Sequence, residues 1–408
     1  MRILMISDVY FPRVNGVSTA IMTLRRELIR EGHAVTLIAP DYGSVTADEK
    51  NIIRIPARSV WLDPEDRIMA SNKIAALIPH LQTTAFDLVH IHTPFIAHYA
   101  GLKIARALGV PVVETYHTFF EEYLFHYVPL LPKAFMRYLA RAFSRSQCAA
   151  LDGLIVPSQP MLDTLLRYGV DTHTQVIPTG IELSDFSAGD GSRFRAQHGI
   201  PLTQPLLLFV GRIAHEKNIG FLLHTLSHIK QAHPDVLLVL AGEGPATAAL
   251  QRQTARLKLD AHVRFVGYLE RSSDLLDCYR AADLFVFSSR TETQGLVLLE
   301  AMALGTPVVG LAIMGTAEVL QHGRGAHIAP DDVRGFAHSV SDLLSDPQAR
   351  VMLKQSAIEY VQGWTAPEMT RRLYRFYESV ISMAHTAVAR NKKDIPRLGR
   401  ERTPKQIS

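Results

Sequence analysis

The sequence predicts an α/β protein built from two doubly wound domains that face each other across a cleft. Three observations carry this. Short apolar runs of strand length alternate with helix-length amphipathic segments, the pattern of parallel strands covered by helices on both faces. The alternation breaks once, in a Ser-, Gly- and Asp-rich stretch over 183–192, and then restarts. The chain of 408 residues, 47% hydrophobic and 20% charged, has ordinary globular composition and length for two or three domains.

The elements follow in order. Arg2–Ser7 reads as the first strand, Ser18–Glu31 as a helix ended by Gly32, and Ala34–Ala39 as the next strand. Residues 52–55, 87–91 and 111–115 are further strands, with a helix over Leu102–Leu108 closed by Gly109. Leu154–Pro157 and Gln175–Pro178 complete this half. After the break come strand Leu206–Val210, helix Gly220–Ala232, strand Val236–Ala241, helix Ala246–Leu257 and strand Val263–Val266. Helix Asp274–Ala281, strand Leu284–Ser288, helix Leu296–Ala303 and strand Pro307–Gly310 follow, with shorter units to about residue 363. Beyond a turn at Trp364–Pro367, residues 368–385 form a last helix. The domains are expected at 1–182 and 183–367, with a basic, disordered tail over 386–408. A cleft between two such sheets gathers strand carboxyl ends around a ligand.

Composition excludes several classes. Two cysteines, Cys148 and Cys278, are too few and too far apart for a disulfide scaffold or a four-cysteine zinc site, and they fit a reducing compartment. No run approaches the ~18 apolar residues of a spanning helix. The opening Arg2–Asp8 meets a charge too early for a signal peptide, so a cytoplasmic protein is expected. The net charge of +4 is unevenly placed: residues 386–408 hold seven Lys and Arg against two acids, and the rest of the chain is slightly acidic. That argues against a nucleic-acid groove on the folded part. The tail reads either as a solvated end or as a contact with an anionic membrane surface.

Familiar nucleotide motifs are missing. The loop after the first strand, Asp8–Gly16, is not G-x-G-x-x-G, and no Walker sequence occurs. Gly242-Glu243-Gly244-Pro245 is too short a pattern to use alone. His90 and His92 share one side of a strand, but two ligands do not make a metal site; they read as a polar strand end at the cleft.

Two segments carry chemistry. Gly211-Arg212-Ile213-Ala214-His215-Glu216-Lys217-Asn218 follows an apolar strand, so the turn delivers Arg212 and Lys217 into the cleft, where two cations suit a diphosphate leaving group. Thr291-Glu292-Thr293-Gln294-Gly295-Leu296-Val297-Leu298-Leu299-Glu300-Ala301 follows another. Gly295 permits close backbone approach, and the helix that starts there offers free N–H groups to phosphate oxygens. Glu292 and Glu300 could grip sugar hydroxyls on either side of it. A helix start enriched in acids would account for Glu292 but not for Glu300, which sits in an apolar stretch.

With the continuation Ala301–Val309 and the opening 5–24, these segments resemble the retaining family-four glycosyltransferases of GT-B fold, over nearly residues 1–380. His92-Thr93-Pro94-Phe95 and Thr115-Tyr116-His117-Thr118 resemble the bacterial members that glucosylate diacylglycerol, and related mannosyltransferases share much of the pattern. The resemblance implies a donor-binding second domain, an acceptor-binding first domain, and a C-terminal helix crossing back to the first. It implies that Arg212 and Lys217 bind the donor diphosphate, Glu300 the ribose, and Glu292 the donor sugar. The backbone of Gln294, Gly295 and Leu296 would meet phosphate and sugar. Gly16 would lie on the loop that closes over the donor, where the family usually has two glycines and this chain has Asn15 before Gly16. His117 would lie near the transferred sugar. In the mechanism favoured for the family no protein nucleophile is needed, and the leaving phosphate takes the acceptor proton. Two fixed cations can replace Mg²⁺, so neither metal nor cofactor is expected.

Residues 123–151 contain no acid, and Lys133, Arg137, Arg141 and Arg145 recur at steps of four along one helix side. Phe135, Met136, Leu139 and Phe143 supply apolar area, and the preceding loop carries aromatics from Phe119 to Tyr127. Such a basic, apolar surface suits an anionic bilayer and a lipid acceptor; a core helix with a solvated basic face is the plainer alternative. The leading expectation is a peripheral membrane enzyme moving glucose from a nucleotide sugar to diacylglycerol. GDP-mannose-dependent transfer, a sugar-nucleotide epimerase and an inactive nucleotide-sugar-binding scaffold are the alternatives.

Overall fold

A computed structural model describes residues 1–43, 50–59, 67–117, 133–271 and 273–393. The first half forms a seven-stranded parallel sheet. Its strands are β1 (Arg2–Ile6), β2 (Ala34–Pro40), β3 (Ile52–Ile55), β6 (Leu88–Ile91), β7 (Val112–Thr115), β8 (Gly153–Val156) and β9 (Thr174–Val176), with β4 (Ala57–Ser59) and β5 (Arg67–Met69) forming a small antiparallel pair beside them. The order is β3-β2-β1-β6-β7-β8-β9. The second half forms a six-stranded parallel sheet from β10 (Leu206–Val210), β11 (Leu237–Ala241), β12 (Val263–Gly267), β13 (Leu284–Phe287), β14 (Val308–Gly310) and β15 (Ala326–Ile328), in the order β12-β11-β10-β13-β14-β15. Each sheet reverses its direction of growth at its first strand, β1 or β10, and such a switch point leaves a crevice at the strand carboxyl ends.

The central strands are largely apolar because helices cover both faces; every residue of β10 and β11 is buried. One face of the first sheet packs Leu4, Ile6, Val89 and Ile91 under the helix Ile96–Leu108. The other packs Ile3, Met5, Leu88 and Val113 against Leu373, Phe376, Tyr377 and Val380 of the C-terminal helix Ala366–Lys393. That helix therefore lies on the first sheet although it follows the second in sequence. The chain crosses between the halves twice at one place, where Ile181 bridges Thr365.

The structure differs from the sequence expectations at several ends. The first helix is Gly16–Arg30, starting before Ser18 because Asn15 caps it: the Asn15 side chain accepts from Ser18 N at 2.8 Å and Ser18 Oγ accepts from Asn15 N at 2.9 Å. The helix expected from Leu102 begins at Ile96, where the distant Asp8 carboxylate accepts from Ala97 N at 3.1 Å. A tertiary cap of this kind leaves no local signal. The stretch read as a loop, 183–192, holds a 3-10 turn, Leu183–Phe186, and the start of a short helix, Gly191–Gln197, capped by Asp190. Helices Ser71–Leu81 and Gln159–Arg167 and the β4–β5 pair were not anticipated. The last helix, expected to end at 385, continues to Lys393 into the segment read as a disordered tail; residues 394–408 lie outside the described residues.

Candidate functional site

The carboxyl ends of both sheets border a cleft of about 840 Å³ lined by the two domains. Gly16, His117, Arg212, Lys217, Glu292, Gln294, Gly295, Leu296 and Glu300, drawn from both halves of the sequence, all line it. Its floor beside β10 and β11 is backbone: a Cβ on Gly242 would lie 2.0 Å from the Gly211 carbonyl oxygen, so only glycine fits there.

Arg212 and Lys217 leave the turn after β10. Asn218 Nδ2 donates to Ser288 O at 3.1 Å and Ser288 Oγ donates to Asn218 O at 3.0 Å, which fastens that turn to the end of β13. Lys217 Nζ forms an ion pair with Glu292. Both side chains keep some exposure, 23% and 15%, toward the cleft. Read from the sequence, each has a ligand of its own; their direct contact is a feature of the fold.

Gly295 caps the helix Leu296–Ala303 with φ of +88°, a left-handed conformation that favours glycine. The N–H groups at that helix start therefore border the cleft beside the Lys217–Glu292 pair. Glu300 is 2% exposed. A buried carboxylate needs partners, and it has two: Arg271 Nη2 donates to Oε1 and Tyr279 Oη donates to Oε2 at 3.0 Å. Burial and the adjacent Glu300 raise the Tyr279 pKa well above its ordinary value, so the phenol keeps the proton it donates. Arg271 and Tyr279 were missed in the sequence. Arg271 had a usable signal, since it lies just past the carboxyl end of β12, as Arg212 lies past β10.

On the first-domain wall, Gly16 opens the first helix, and a Cβ there would meet nothing within 4 Å. His117 follows β7. Burial holds its imidazole down at about 4, so the ring is neutral near pH 7. Its Nε2 lies 3.4 Å from His92 Nδ1. The His92 ring lies against His90 in a tilted arrangement with centroids 3.9 Å apart. His90 in turn pairs with Thr115 Oγ1 at 2.7 Å and Tyr377 Oη at 2.6 Å. Burial lowers both of these histidines as well. The two were expected at the cleft, but neither lines it; they stand behind His117 and link it to the C-terminal helix. Among the described residues no group of three His, Cys, Asp or Glu could hold a metal ion.

The basic helix is Lys133–Cys148. Its inner side is fixed by buried Ala140 and Cys148, by Ser144 bonded to Tyr116 Oη at 2.9 Å, and by Gln147 Nε2 donating to Pro94 O at 2.6 Å. Its outer side exposes Phe135, Tyr138, Leu139, Arg141 and Arg145, and the exposed Phe95 and Tyr99 lie on the neighbouring helix segment. Phe143, counted with the apolar area beside the basic stripe, is half-buried and packs against the core instead. The side chains of Lys133, Met136 and Arg137, and the aromatic loop over 119–131, lie outside the described residues. None of the described residues forms a helix long and apolar enough to cross a membrane.

Comparison with known proteins agrees with this architecture. Residues 14–185 match the family described as Glycosyltransferase Family 4, and residues 190–360 match Glycosyl transferases group 1. The chain is 37% identical over 318 residues to alpha-monoglucosyldiacylglycerol synthase of Streptococcus pneumoniae, covering 76% of this chain and 70% of that protein. It is 28% identical over 353 residues to a GDP-mannose-dependent alpha-(1-6)-phosphatidylinositol dimannoside mannosyltransferase of Mycobacterium tuberculosis, covering 85% and 89%. The crystal structure of Anabaena Alr3699/HepE in complex with UDP-glucose superposes with a TM-score of 0.72 at 19% identity, covering 93% of this chain and 100% of that one. Twin parallel sheets around a shared cleft, matched in each half by a glycosyltransferase family, carry one conclusion: the chain belongs to the family-four glycosyltransferases of GT-B fold.

Proposed function

We propose that this glycosyltransferase moves glucose from a nucleoside-diphosphate glucose to diacylglycerol at an anionic membrane surface, with retention at the anomeric carbon. The observation that carries the reading is the Lys217–Glu292 pair, set beside Arg212 and the helix start at Gly295 in one cleft. Phosphate oxygens at that helix start would meet N–H donors, and Arg212 and Lys217 would neutralise the charge that builds on the departing diphosphate. Glu292, held by Lys217, would orient the sugar. Glu300 would receive ribose hydroxyls on a carboxylate already aimed by Arg271 and Tyr279. The neutral His117 ring would lie along the sugar on the acceptor side. No residue is assigned as nucleophile: the diphosphate takes the proton of the attacking hydroxyl on the same sugar face. The proposal includes neither metal nor cofactor.

The choice of glucose and diacylglycerol rests on the likeness to the pneumococcal glucosyltransferase. The exposed Phe135, Tyr138 and Leu139 beside Arg141 and Arg145 support the membrane surface. A cytoplasmic enzyme, peripheral on the inner face of the plasma membrane, is the corresponding location. Transfer of mannose from GDP-mannose is the second reading, supported by the mannosyltransferase that aligns over more of both chains. A screen of radiolabelled UDP-glucose and GDP-mannose against lipid extracts tests the choice. Labelled glucolipid supports the first reading, and labelled mannolipid alone replaces it with the second. A soluble product with no labelled lipid rejects the acceptor.

A further inference from the structure

We propose that Gln294 is a positioning residue that couples closure of the two domains to alignment of the transfer site. The inference rests on the functional reading above. Gln294 belongs to the second domain, between Glu292 and Gly295. The residue is 4% exposed, and its side chain engages the backbone of Thr179 in both directions. Oε1 accepts from Thr179 N at 2.7 Å and Nε2 donates to Thr179 O at 2.7 Å.

Thr179 stands where the domains join. The next residue, Gly180, is so close to the returning chain that a Cβ on it would lie 2.6 Å from Ala366 Cα. Beyond it, Ile181 N donates to Trp364 O at 2.9 Å and Ala366 N donates to Ile181 O at 2.8 Å. The amide of Gln294 thus ties the donor loop to the crossover about which the domains must move.

Two further bonds run from the same loop to the first domain. Thr293 Oγ1 donates to His117 O at 3.1 Å, and Ser158 Oγ donates to Thr293 O at 2.9 Å. One short loop therefore carries Glu292 and the helix start on one side and holds His117 and the crossover on the other. A rotation that parts the domains breaks these bonds and frees the loop; closure rebuilds them and returns Glu292 and the helix start to the first-domain wall at His117. The residue type is demanding. A side-chain amide supplies one donor and one acceptor to the backbone of a single residue, an apolar replacement leaves the half-buried Thr179 N–H and C=O without these partners, and a carboxylate faces a carbonyl oxygen.

The test uses Gln294→Met and Gln294→Glu in the full chain. At pH 8 both are expected to lose roughly 10- to 100-fold in kcat, the scale of a misaligned site, while the Kd of UDP changes less than about threefold. A protonated carboxylic acid presents the same acceptor and donor as the amide. The activity of Gln294→Glu relative to wild type is therefore expected to recover as pH falls from 8 to 5.5, and that of Gln294→Met is not. His117 stays neutral over that range, and Lys217 and Glu292 are common to all three proteins and cancel in the ratio. Wild-type kcat in Gln294→Met, or a pH-independent Gln294→Glu ratio in protein with a normal melting temperature, overturns the proposal.

A second readout does not depend on turnover: the distance between fluorescent labels on the two domains, on adding whichever of UDP and GDP the wild type binds. Closure in wild type but not in Gln294→Met supports the latch even if no sugar is transferred, a failure that would fall on the functional reading alone. Identical closure in both proteins overturns the latch.

Discussion

Lys217 and Glu292, 75 residues apart in sequence, meet as an ion pair inside the interdomain cleft. Each sits on its own turn, one after β10 and one after β13, and the pairing of those neighbouring strands brings them together. An ammonium that is already directed needs little reorganisation to meet a developing phosphate charge. Lys217→Ala is expected to lower kcat at least 100-fold, the scale on which one fixed donor to a developing anion counts. Because the residues share one interaction, Lys217→Ala and Glu292→Ala should combine less than additively. Steady-state kinetics of the two single variants and the double variant check this.

Arg271 supports Glu300 and the fold together. Removing it leaves a carboxylate that is 3% exposed with only Tyr279 as a partner. Arg271→Ala is expected to cost about 3 kcal/mol, the low end for a broken buried pair, because the Arg271 side chain is 28% exposed. It should also raise the donor KM. Urea titration and donor saturation curves measure the two effects; an unchanged midpoint would remove Arg271 from this role.

Acid should unfold the protein partly through His117. Its pKa is about 4 in the folded protein, against about 6.5 for an ordinary histidine. The unfolded chain therefore binds the extra proton first, and stability is lost as pH falls below about 6.5. By pH 4.5 this residue alone removes about 2–3 kcal/mol. His90 and His92, also lowered, act in the same direction. Asp8, raised to about 6 by burial, acts in the opposite direction, because its folded form takes up a proton first. Chemical denaturation of His117→Gln at pH 7 and pH 4.5 should show a stability difference smaller than that of wild type by about 2–3 kcal/mol.

Membrane attachment should depend on the outer side of the helix Lys133–Cys148. Arg141 and Arg145 are exposed there, and each basic residue near an anionic leaflet contributes about 1 kcal/mol. The double replacement by Ala is expected to weaken binding to phosphatidylglycerol vesicles roughly 30-fold at low salt. Binding to neutral vesicles should change little. Flotation assays on both compositions test this, and equal retention on anionic vesicles would reject the surface.

The architecture was legible because buried parallel strands write themselves as apolar runs, as in Leu206–Val210 and Leu237–Ala241. The cleft residues were legible because turns after such strands must face it: Arg212, Lys217 and Glu292 all follow one. What the sequence hid was pairing. Arg271 meets Glu300 and Asp8 caps the helix at Ile96 through contacts that only the folded sheets create. The His90/His92 spacing at the end of β6 was visible, but neither its reach to His117 nor its link to Tyr377 was, because the one comes from the next strand and the other from a helix that returns from the far end of the chain. Phe143 was misjudged because a helix with apolar residues on more than one side does not announce which of them faces inward.

The central claim is that this cleft breaks a sugar–diphosphate bond and passes the sugar to a lipid. Its most direct test is incubation of wild type and Lys217→Ala with radiolabelled UDP-glucose and diacylglycerol in phosphatidylglycerol vesicles, with the anomeric configuration of any product read by NMR. An α-glucosyl diacylglycerol made by wild type and nearly absent with Lys217→Ala is the predicted result. A β-linked product, no labelled lipid from UDP-glucose, or undiminished transfer by Lys217→Ala would contradict it.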